Sequence, residues 1–390
     1  MAKTIRLHYD DPLALEHASA VVAHATWRKT PSVVLDETIF YPESGGQMGD
    51  HGVLGDARVV DVQIDGDGVV HHLVEGERPP VGETVRGVVD GARRRRHMAL
   101  HTGQHALSRA LLDQHGAVTV SSRLGETACT LDVDVAGLSL EDLRPTEEAV
   151  LQLIDEDRPV RQLFPEPDVL PEMDLRKPPP DAERVRVVDI DGFDITPCGG
   201  THVQHTSQIE LLVVHKVERY KKGTRVTFEA GPRARRLLRE RADHLADVAA
   251  QLRCAPLEVR GVVEGLAAKL DGARNERGRV AALLADRWAE RLRSDGDVVA
   301  VLDGGDADLL RLVAERLTAT AGLVALAAPG DEGAAVLLAR GPASDAHCGE
   351  LMRAIAKATG GRGGGRPELA QGRVPAGIDW HTAVAASRSS

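Results

Sequence analysis

Short runs of β-branched and apolar residues, separated by polar turns, dominate the first quarter of the 390-residue chain. The clearest runs occupy residues 33–35, 58–64, 69–74 and 84–89. Turn-forming segments such as Asp65-Gly66-Asp67-Gly68 lie between them. β-branched side chains favour strands, whereas Gly, Pro and Asp favour turns. Several short strands at this spacing predict a small β-barrel domain over residues 1–92.

Apolar residues recur at helical spacing after residue 92, and the pattern then becomes mixed. Residues 96–112 contain no Pro and predict a long helix, and residues 146–157 predict an amphipathic helix. Strand-like segments occur at 117–125, 128–133, 185–188, 209–217 and 224–229. The six prolines between residues 165 and 180 predict a loop or an extended connector. Together these patterns predict an α+β domain over residues 93–231.

The remaining chain predicts two further domains. Residues 232–293 have Leu, Val and Ala at heptad-like spacing, with a break at Cys254-Ala255-Pro256, and predict an antiparallel helical hairpin. This hairpin serves either as a spacer or as a dimerisation element. Residues 294–390 predict a small α/β domain, with strands at 298–302, 323–327 and 334–339 and helices at 306–319 and 345–359. The predicted fold class is therefore α+β multidomain.

Composition narrows the class of protein without identifying its function. The chain is 42% hydrophobic and 27% charged, as in ordinary globular proteins. No apolar stretch approaches the roughly 18 residues of a membrane-spanning helix, so no membrane partner is expected. The first residues lack the apolar core of a signal peptide. The four cysteines lie far apart in the sequence, which is typical of a protein from the reducing cytoplasm.

The charge distribution favours a specific RNA partner over general nucleic-acid binding. A formal net charge of -11 argues against a protein that coats nucleic acid indiscriminately. Lys and Arg nevertheless cluster at residues 93–96, 219–222, 233–239 and 353–373. Each cluster alone is compatible with a solvated surface. Four of them in an acidic chain favour contacts with phosphates.

Two histidine-containing motifs predict a metal site. His101 and His105 are four residues apart in the long predicted helix, so both imidazoles lie on one face. Cys198 and His202 flank a glycine-containing turn. Three imidazoles and one thiolate form the tetrahedral nitrogen and sulfur set that zinc prefers. A histidine pair at this spacing also arises by chance, and the prediction depends on the two motifs occurring together.

Neighbouring residues refine this metal-site prediction. His97 shares the helical face of His101, and His205 follows His202 closely, so both are alternative ligands. We expect each of them to be either a residue that contacts the ligands without binding the metal or a solvated histidine. Metalloproteases with two histidines on a helix have Glu directly after the first one, whereas this chain has Thr102.

Two glycine-containing segments are candidates for ligand contacts. Residues 36–50 combine Phe40 and Tyr41 with a Gly pair, and are either a binding loop or a simple turn between strands. Residues 360–366 contain five Gly and two Arg, a composition suited to cradling phosphate or sugar. The alternative for this second segment is a flexible tail. It lacks the Gly-Lys-Ser/Thr sequence of a Walker loop.

Taken together, these motifs resemble the alanyl-tRNA synthetase editing family, and in particular its free-standing long-form editing proteins. The resemblance rests on four motifs in the family's order: Thr38-x-Phe40-Tyr41-Pro42 with Gly45-Gly46-Gln47, the helix with His101 and His105, Cys198-Gly199-Gly200-Thr201-His202, and the glycine-rich run 360–371. It implies that the domain over residues 93–231 is a zinc-containing editing domain. It also implies that the last domain is a glycine-rich tRNA-binding domain.

The resemblance implies an activity, which is hydrolysis of the ester that joins a wrong amino acid to tRNA for alanine. The amino acid would be serine and, in some members, also glycine. Zinc would be bound by His101, His105, Cys198 and His202. The Thr38 hydroxyl would distinguish serine from alanine, and Gly45, Gly46 and Gln47 would shape the catalytic pocket wall. Arg362 and Arg366, with Gly363, Gly364 and Gly365, would grip the tRNA in a domain that can also pair two subunits as a homodimer.

Two differences from full synthetases qualify this resemblance. The sequence begins directly with the predicted barrel, so we expect deacylation without aminoacylation. Ser122 stands where synthetases tend to have Gln.

Four protein ligands make a closed zinc site, whereas direct catalysis needs an open position. A non-catalytic, zinc-containing tRNA-binding protein is therefore the alternative, and an editing protein for another tRNA, such as that for threonine, is a third possibility.

Overall fold

The computed structural model describes residues 2–182 and 184–388. The chain divides into two compact units, one up to residue 246 and one from residue 247. None of the helices in the described ranges is both long and apolar enough to cross a membrane. The fold is a mixed α and β multidomain arrangement, as the sequence predicts. The four-domain division remains a prediction.

The predicted barrel is present near the start of the chain. The strands of this region are β1 (Ile5–Arg6), β2 (Glu16–Trp27), β3 (Thr30–Leu35), β4 (Glu37–Thr38), β5 (Gly52–Leu54), β6 (Ala57–Ile64), β7 (Val70–Glu75) and β8 (Thr84–Val89). Six of them close in the order β2-β3-β7-β6-β5-β8. Alternate side chains such as Val33, Leu35 and Val62 fill the interior, because successive residues of a strand point to opposite faces. The loop that follows β4 extends to the candidate site.

Helix α1 (Gly91–His115) is the central element of the rest of the first unit. Its first turn is capped by the Asp90 side chain, which accepts hydrogen bonds from the amides of Ala92 and Arg93, and it ends at Gly116 with φ 61°. Most of its side chains are buried, so it is a core helix and not a surface one. It packs against α2 (Arg144–Asp155) and against the strands that follow it.

Two antiparallel sheets surround α1. The first contains β9 (Thr119–Leu124), β10 (Cys129–Val133), β14 (Leu212–Tyr220) and β15 (Gly223–Ala230), in the order β14-β15-β10-β9. The second contains β11 (Val160–Leu163), β12 (Val187–Ile190) and β13 (Asp194–Pro197). The proline-rich connector has a single 3-10 turn at Leu170–Glu172 and no longer element among its described residues.

Two helices occupy the region for which a hairpin is predicted. They are α3 (Pro232–Leu252) and α4 (Val259–Leu292), and they are interrupted near Pro256 as expected. The boundary between the two units falls within α3. A helical hairpin as a separate domain therefore remains a prediction.

The second unit contains a five-stranded sheet. Its further elements are β16 (Val298–Val301), α5 (Ala307–Leu317), β17 (Leu323–Gly330), β18 (Gly333–Arg340), α6 (Cys348–Thr359), β19 (Arg362–Gly365), β20 (Leu369–Val374) and α7 (Trp380–Arg388). The strand order is β16-β17-β18-β20-β19. The predicted strands and helices up to residue 359 are present, with small shifts at their ends.

The glycine-rich run is neither a loop nor a flexible tail, because its residues form the edge strand β19. Close packing explains why glycines occur at these positions. A Cβ on Gly363 would lie 2.8 Å from Cγ of Met352 in α6, and a Cβ on Gly349 in α6 would overlap the carbonyl oxygen of Gly365. Close packing of a helix on a strand thus accounts for much of the glycine content. Arg362 and Arg366 are exposed on this edge.

Candidate metal centre and cavity

Four side chains from two segments of the first unit converge on one point. Helix α1 provides His101 and His105, and the turn after β13 provides Cys198 and His202. The ligand atoms of these residues all lie within 4.8 Å of one another. The Cys198 sulfur is 3.5 Å from Nε2 of His101 and 3.4 Å from Nε2 of His202. The structure therefore brings together the four predicted ligands.

Two of the three histidines in this cluster form a hydrogen bond through the other ring nitrogen. Nδ1 of His101 donates to Oε1 of Gln47 at 2.7 Å. Thr102 donates its hydroxyl proton to the Met98 carbonyl, so its oxygen accepts from Nδ1 of His202 at 3.1 Å.

The third histidine has a carboxylate partner. Nδ1 of His105 lies 3.4 Å from a carboxylate oxygen of Asp194, which is fully buried. In all three residues Nε2 is left available for an ion, which is the arrangement found around metal-bound histidines.

The electrostatics of the cluster favour the metal-binding protonation state at three of the four predicted ligands. Burial alone would raise the pKa of the Cys198 thiol, but His101, His105 and His202 lower this pKa well below its usual value. Burial lowers the pKa of His101 and His202, which favours neutral imidazoles. Burial has the same direction at His105, but Cys198 and Asp194 outweigh it and raise the pKa of that residue. Burial also opposes ionisation of Asp194, but His105 and Arg176 lower its pKa to about 2. Thiolate and neutral imidazole are the forms that bind a metal ion.

The backbone of the Cys198 turn is fixed by a buried arginine. Arg186 is 4% exposed, and its Nη1 donates to the carbonyl oxygens of Cys198 at 2.9 Å and Gly200 at 2.7 Å. Gly200 is required for the same close approach, because a Cβ there would overlap Cε1 of His101. The turn therefore tolerates no side chain where it passes the helix.

A cavity of about 670 Å³ opens beside the cluster. It is lined by His101, His105 and Cys198, by hydroxyl side chains that include Ser44, Ser108, Thr119 and Ser122, and by the cations Arg6, Arg176, Lys177, Arg184 and Arg186. Tyr9 and Tyr41 form an aromatic part of the lining. A cationic cavity with small hydroxyl groups and a buried ligand set suits a polar, anionic substrate.

The loop 44–47 contributes to the site in more than one way. Gly45 lines the cavity, whereas Gln47 is fully buried behind His101 and also accepts a hydrogen bond from the Thr201 amide at 3.1 Å. A Cβ on Gly46 would overlap the carbonyl oxygen of Ser122, so this glycine allows the loop to pack on β9. Gln47 thus contacts the predicted metal ligand His101 and is not among the residues that line the cavity.

Thr38 lies in β4, which pairs with β1 outside the six barrel strands, and it is absent from the described cavity lining. It is 1% exposed, its hydroxyl is 2.8 Å from Nε2 of His72, and it accepts from the Phe40 amide at 3.0 Å. Ser122, which was predicted without a role, lines the cavity. His205 is half-exposed beside Asp157, outside the four-residue cluster.

Three contributors to the site escape detection from the sequence. Asp194, Thr102 and Arg186 each act on a ligand or on the ligand-bearing turn through a contact between distant segments. The one local signal is that Asp194 belongs to the strand that leads directly into Cys198. That spacing alone does not distinguish it from an ordinary strand residue.

Three family models match parts of the chain. They are tRNA synthetases class II (A) over residues 7–93, the threonyl and alanyl tRNA synthetase second additional domain over residues 185–226, and the DHHA1 domain over residues 295–387. The second match contains Cys198 and His202. His101 and His105 lie outside all three matched ranges.

Similar proteins cover almost the whole chain. The alanine–tRNA ligase of Archaeoglobus fulgidus is 32% identical over 96% of this chain and 43% of its own length. The alanine–tRNA ligase of Thermococcus kodakarensis is 33% identical over 95% of this chain and 42% of its own length. The chain thus spans less than half of the ligases it matches. The alanyl-tRNA editing protein AlaX-L of Pyrococcus horikoshii is 29% identical over 95% of both chains.

Proposed function

This chain belongs to the family of alanyl-tRNA synthetases and alanyl-tRNA editing proteins, and from that premise we propose that it deacylates mischarged tRNA for alanine. The reaction is hydrolysis of the ester between the amino acid and the terminal ribose, with serine as the main amino acid removed and glycine as a second. The observation that carries this proposal is the His101, His105, Cys198 and His202 cluster beside a cationic cavity. A relative that is similar over its full length carries the name of an alanyl-tRNA editing protein.

The donor set of the cluster fits zinc. Three imidazole nitrogens and one thiolate match its preferred ligands. Nδ1 of His101 and of His202 is hydrogen-bonded, and Nδ1 of His105 lies 3.4 Å from Asp194. A bound zinc ion would supply Lewis-acid polarisation or a fixed positive charge. The residues that would hold it are His101, His105, Cys198 and His202.

The cavity lining would bind and orient the substrate. Arg6, Lys177 and Arg184 would attract the phosphates at the end of the tRNA. Arg186 adds a buried positive charge beside the Cys198 turn. This charge would stabilise the oxyanion that develops as water attacks the ester carbonyl. Loss of one such stabilising donor in other enzymes costs on the order of 3 kcal/mol.

Recognition of serine by the Thr38 hydroxyl is part of the proposal and has a structural condition. The hydroxyl must leave His72 to contact a substrate, because it already has His72 and the Phe40 amide as partners. A site that hydrogen-bonds a substrate hydroxyl discriminates strongly against the analogue lacking it. We expect Thr38→Val to hydrolyse Ser-tRNA more slowly than the wild type. Equal rates in the two proteins, with Ala-tRNA still spared, would assign serine recognition elsewhere, and Ser122→Ala would be the next variant.

The second candidate function is a non-catalytic tRNA-binding protein with a structural zinc site. The specific observation in its favour is that four protein side chains already complete a tetrahedral ligand set. Such a protein would bind tRNA through the same cationic residues without hydrolysing it.

Deacylation assays separate these two functions. The purified full chain is incubated with Ser-, Gly- and Ala-tRNA for alanine and with a mischarged tRNA for threonine, before and after chelation. We expect loss of serine first, little loss of alanine, reduced turnover after chelation and recovery with added zinc. Tight tRNA binding without turnover of any of these substrates would favour the binding protein. Preferential turnover of the threonine tRNA would redirect the proposal to that substrate.

A further inference from the structure

A second cavity, of about 400 Å³, lies in the first unit. None of its lining residues lines the cavity beside the metal cluster. Helix α1 and the start of α3 contribute most of the wall, with Glu126 between them. The lining residues are Arg96, His97, Leu100, Glu126, Pro232, Arg233 and Arg236.

Two arginines of this cavity lack a carboxylate partner. Four neighbouring arginines are paired: Arg93 with Glu126, Arg94 with Asp50, Arg233 with Glu229 and Arg235 with Glu210. Arg96 and Arg236 make no ion pair with any side chain in residues 2–182 and 184–388. The one carboxylate of the lining is therefore engaged by Arg93, and two positive charges remain available to a ligand.

The start of α3 has the opposite charge pattern from a stabilised helix start. It contains no acidic residue in its first turn, and Arg233, Arg235 and Arg236 all lie within its first five residues. The N-terminal end of a helix dipole is positive, so cations there are unfavourable and anions are favourable. Helix α1 shows the usual solution, since Asp90 caps it. Glu229 and Glu210 compensate Arg233 and Arg235, and an external anion would compensate Arg236 and the helix start.

His97 gives an independent indication of a ligand. It lines the cavity, is 3% exposed, and its Nδ1 has no hydrogen-bond partner among the described residues. A buried polar atom without a partner is costly, and few remain in native proteins. Burial, together with Arg93 and Arg96, lowers the pKa of His97 to about 3. The neutral ring can therefore donate one hydrogen bond to an anion or to a water that bridges to it.

We propose that this cavity binds a phosphate group of the RNA backbone, with Arg96 and Arg236 as its charged contacts and the start of α3 as its backbone contact. Guanidinium groups match phosphate geometry well. The inference rests on the proposed function, because the RNA is the tRNA whose acylated end enters the first cavity. Helix α1 would then carry the metal ligand His101 beside the reacting end and, one turn earlier, His97 beside a backbone phosphate.

The test is tRNA binding by a double variant with a charge-matched control. Arg96→Gln/Arg236→Gln removes the two unpaired cations, whereas Arg95→Gln/Arg239→Gln removes one arginine from each of the same helices without touching the cavity lining. Affinity of the full chain for uncharged tRNA is measured over a range of salt concentrations. We expect the cavity variant to bind about tenfold more weakly, with a salt slope shallower by about one. The control variant should lose clearly less tRNA affinity. Thermal melting verifies that both variants are folded.

Three outcomes would overturn this assignment. Unchanged tRNA affinity in the cavity variant would remove the contact, and equal losses in both variants would reduce it to an effect of net charge. The third outcome is that the cavity binds free phosphate and not RNA. In that case inorganic phosphate raises the melting temperature of the wild type but not of the cavity variant, while both proteins have the same affinity for tRNA. Wild-type deacylation is measured in parallel. If the wild type deacylates tRNA but the cavity variant binds tRNA as tightly as the wild type, this inference alone is rejected. If the cavity variant binds tRNA more weakly but the wild type does not deacylate it, the proposed reaction alone is rejected.

Discussion

Buried histidines occur both in the barrel and in the candidate metal centre, and their surroundings differ in one decisive respect. In the barrel, His72 has both ring nitrogens engaged, with the Val33 carbonyl at 3.0 Å and the Thr38 hydroxyl at 2.8 Å. In the metal centre, His101 and His202 each have Nδ1 engaged by a protein group while Nε2 points at the common centre. A histidine is prepared for a metal when the protein satisfies one of its nitrogens and leaves the other.

The largest effect that this comparison predicts comes from closing the gap between the turn and the helix. Gly200→Ala places a Cβ over the His101 ring, so either the ring or the Cys198 turn must move. We expect a loss of metal affinity of 100-fold or more, since ligand geometry tolerates only small displacements. Metal content after dialysis against a weak chelator measures it. Gly364→Ala, where a Cβ meets open space, is the matched control. Retention of stoichiometric metal by Gly200→Ala would contradict the proposed ligand set.

A smaller effect concerns acid stability of the barrel. Burial lowers the pKa of His72 from 6.5 to about 4, so the folded state resists protonation while the unfolded state accepts it. Its contribution to stability is present above pH 6.5 and is lost as the pH falls towards 4, a change of about 3 kcal/mol. Denaturant unfolding in chelator at several pH values measures it. His72→Gln should show a weaker pH dependence over that interval. A profile parallel to that of the wild type would mean that His72 does not cause it.

The smallest predicted effect is on metal affinity, and it distinguishes the two threonines that contact histidines. Thr102→Val removes the acceptor for Nδ1 of His202, and outer partners of this kind typically contribute about 10- to 100-fold to metal affinity. Thr38→Val removes a barrel hydrogen bond and should leave metal affinity as it is. A competition titration with a chromogenic chelator measures both variants. Equal affinities in Thr102→Val and the wild type would show that the ring needs no hydroxyl to hold it.

The sequence predicts the parts of the fold that depend on local pattern. The β-branched runs 58–64 and 84–89 form strands, and the helical spacing of His101 and His105 puts both on one side of α1. Strand β2 is missed because its core is rich in Ala, which has a low preference for strands. The sequence does not reveal that residues 362–365 form a strand, because a need for close packing and a need for phosphate contact select the same residue. Contact of this run with tRNA stays a prediction.

The organisation around the ligands depends on contacts that no local pattern encodes. Gln47 reaches Thr201 across 154 residues of sequence, and Thr102 reaches His202 across 100. Without the fold, Gln47 is an ordinary polar residue beside two glycines, and its interpretation as pocket wall follows from proximity in sequence alone. Arg186 likewise stands in a strand-like segment, where an arginine usually faces solvent.

Gln47 also makes the metal and the loop of residues 44–47 thermodynamically interdependent. One amide holds the His101 ring and the Thr201 backbone, while its near neighbours Ser44 and Gly45 line the cavity. If a bound ion raises the affinity for a substrate by ordering this loop, the substrate must raise the affinity for the ion by the same factor. The reason is that coupling between two ligands is reciprocal. Loss of metal would then loosen the substrate-facing loop, and binding of the correct RNA end would help to retain the ion.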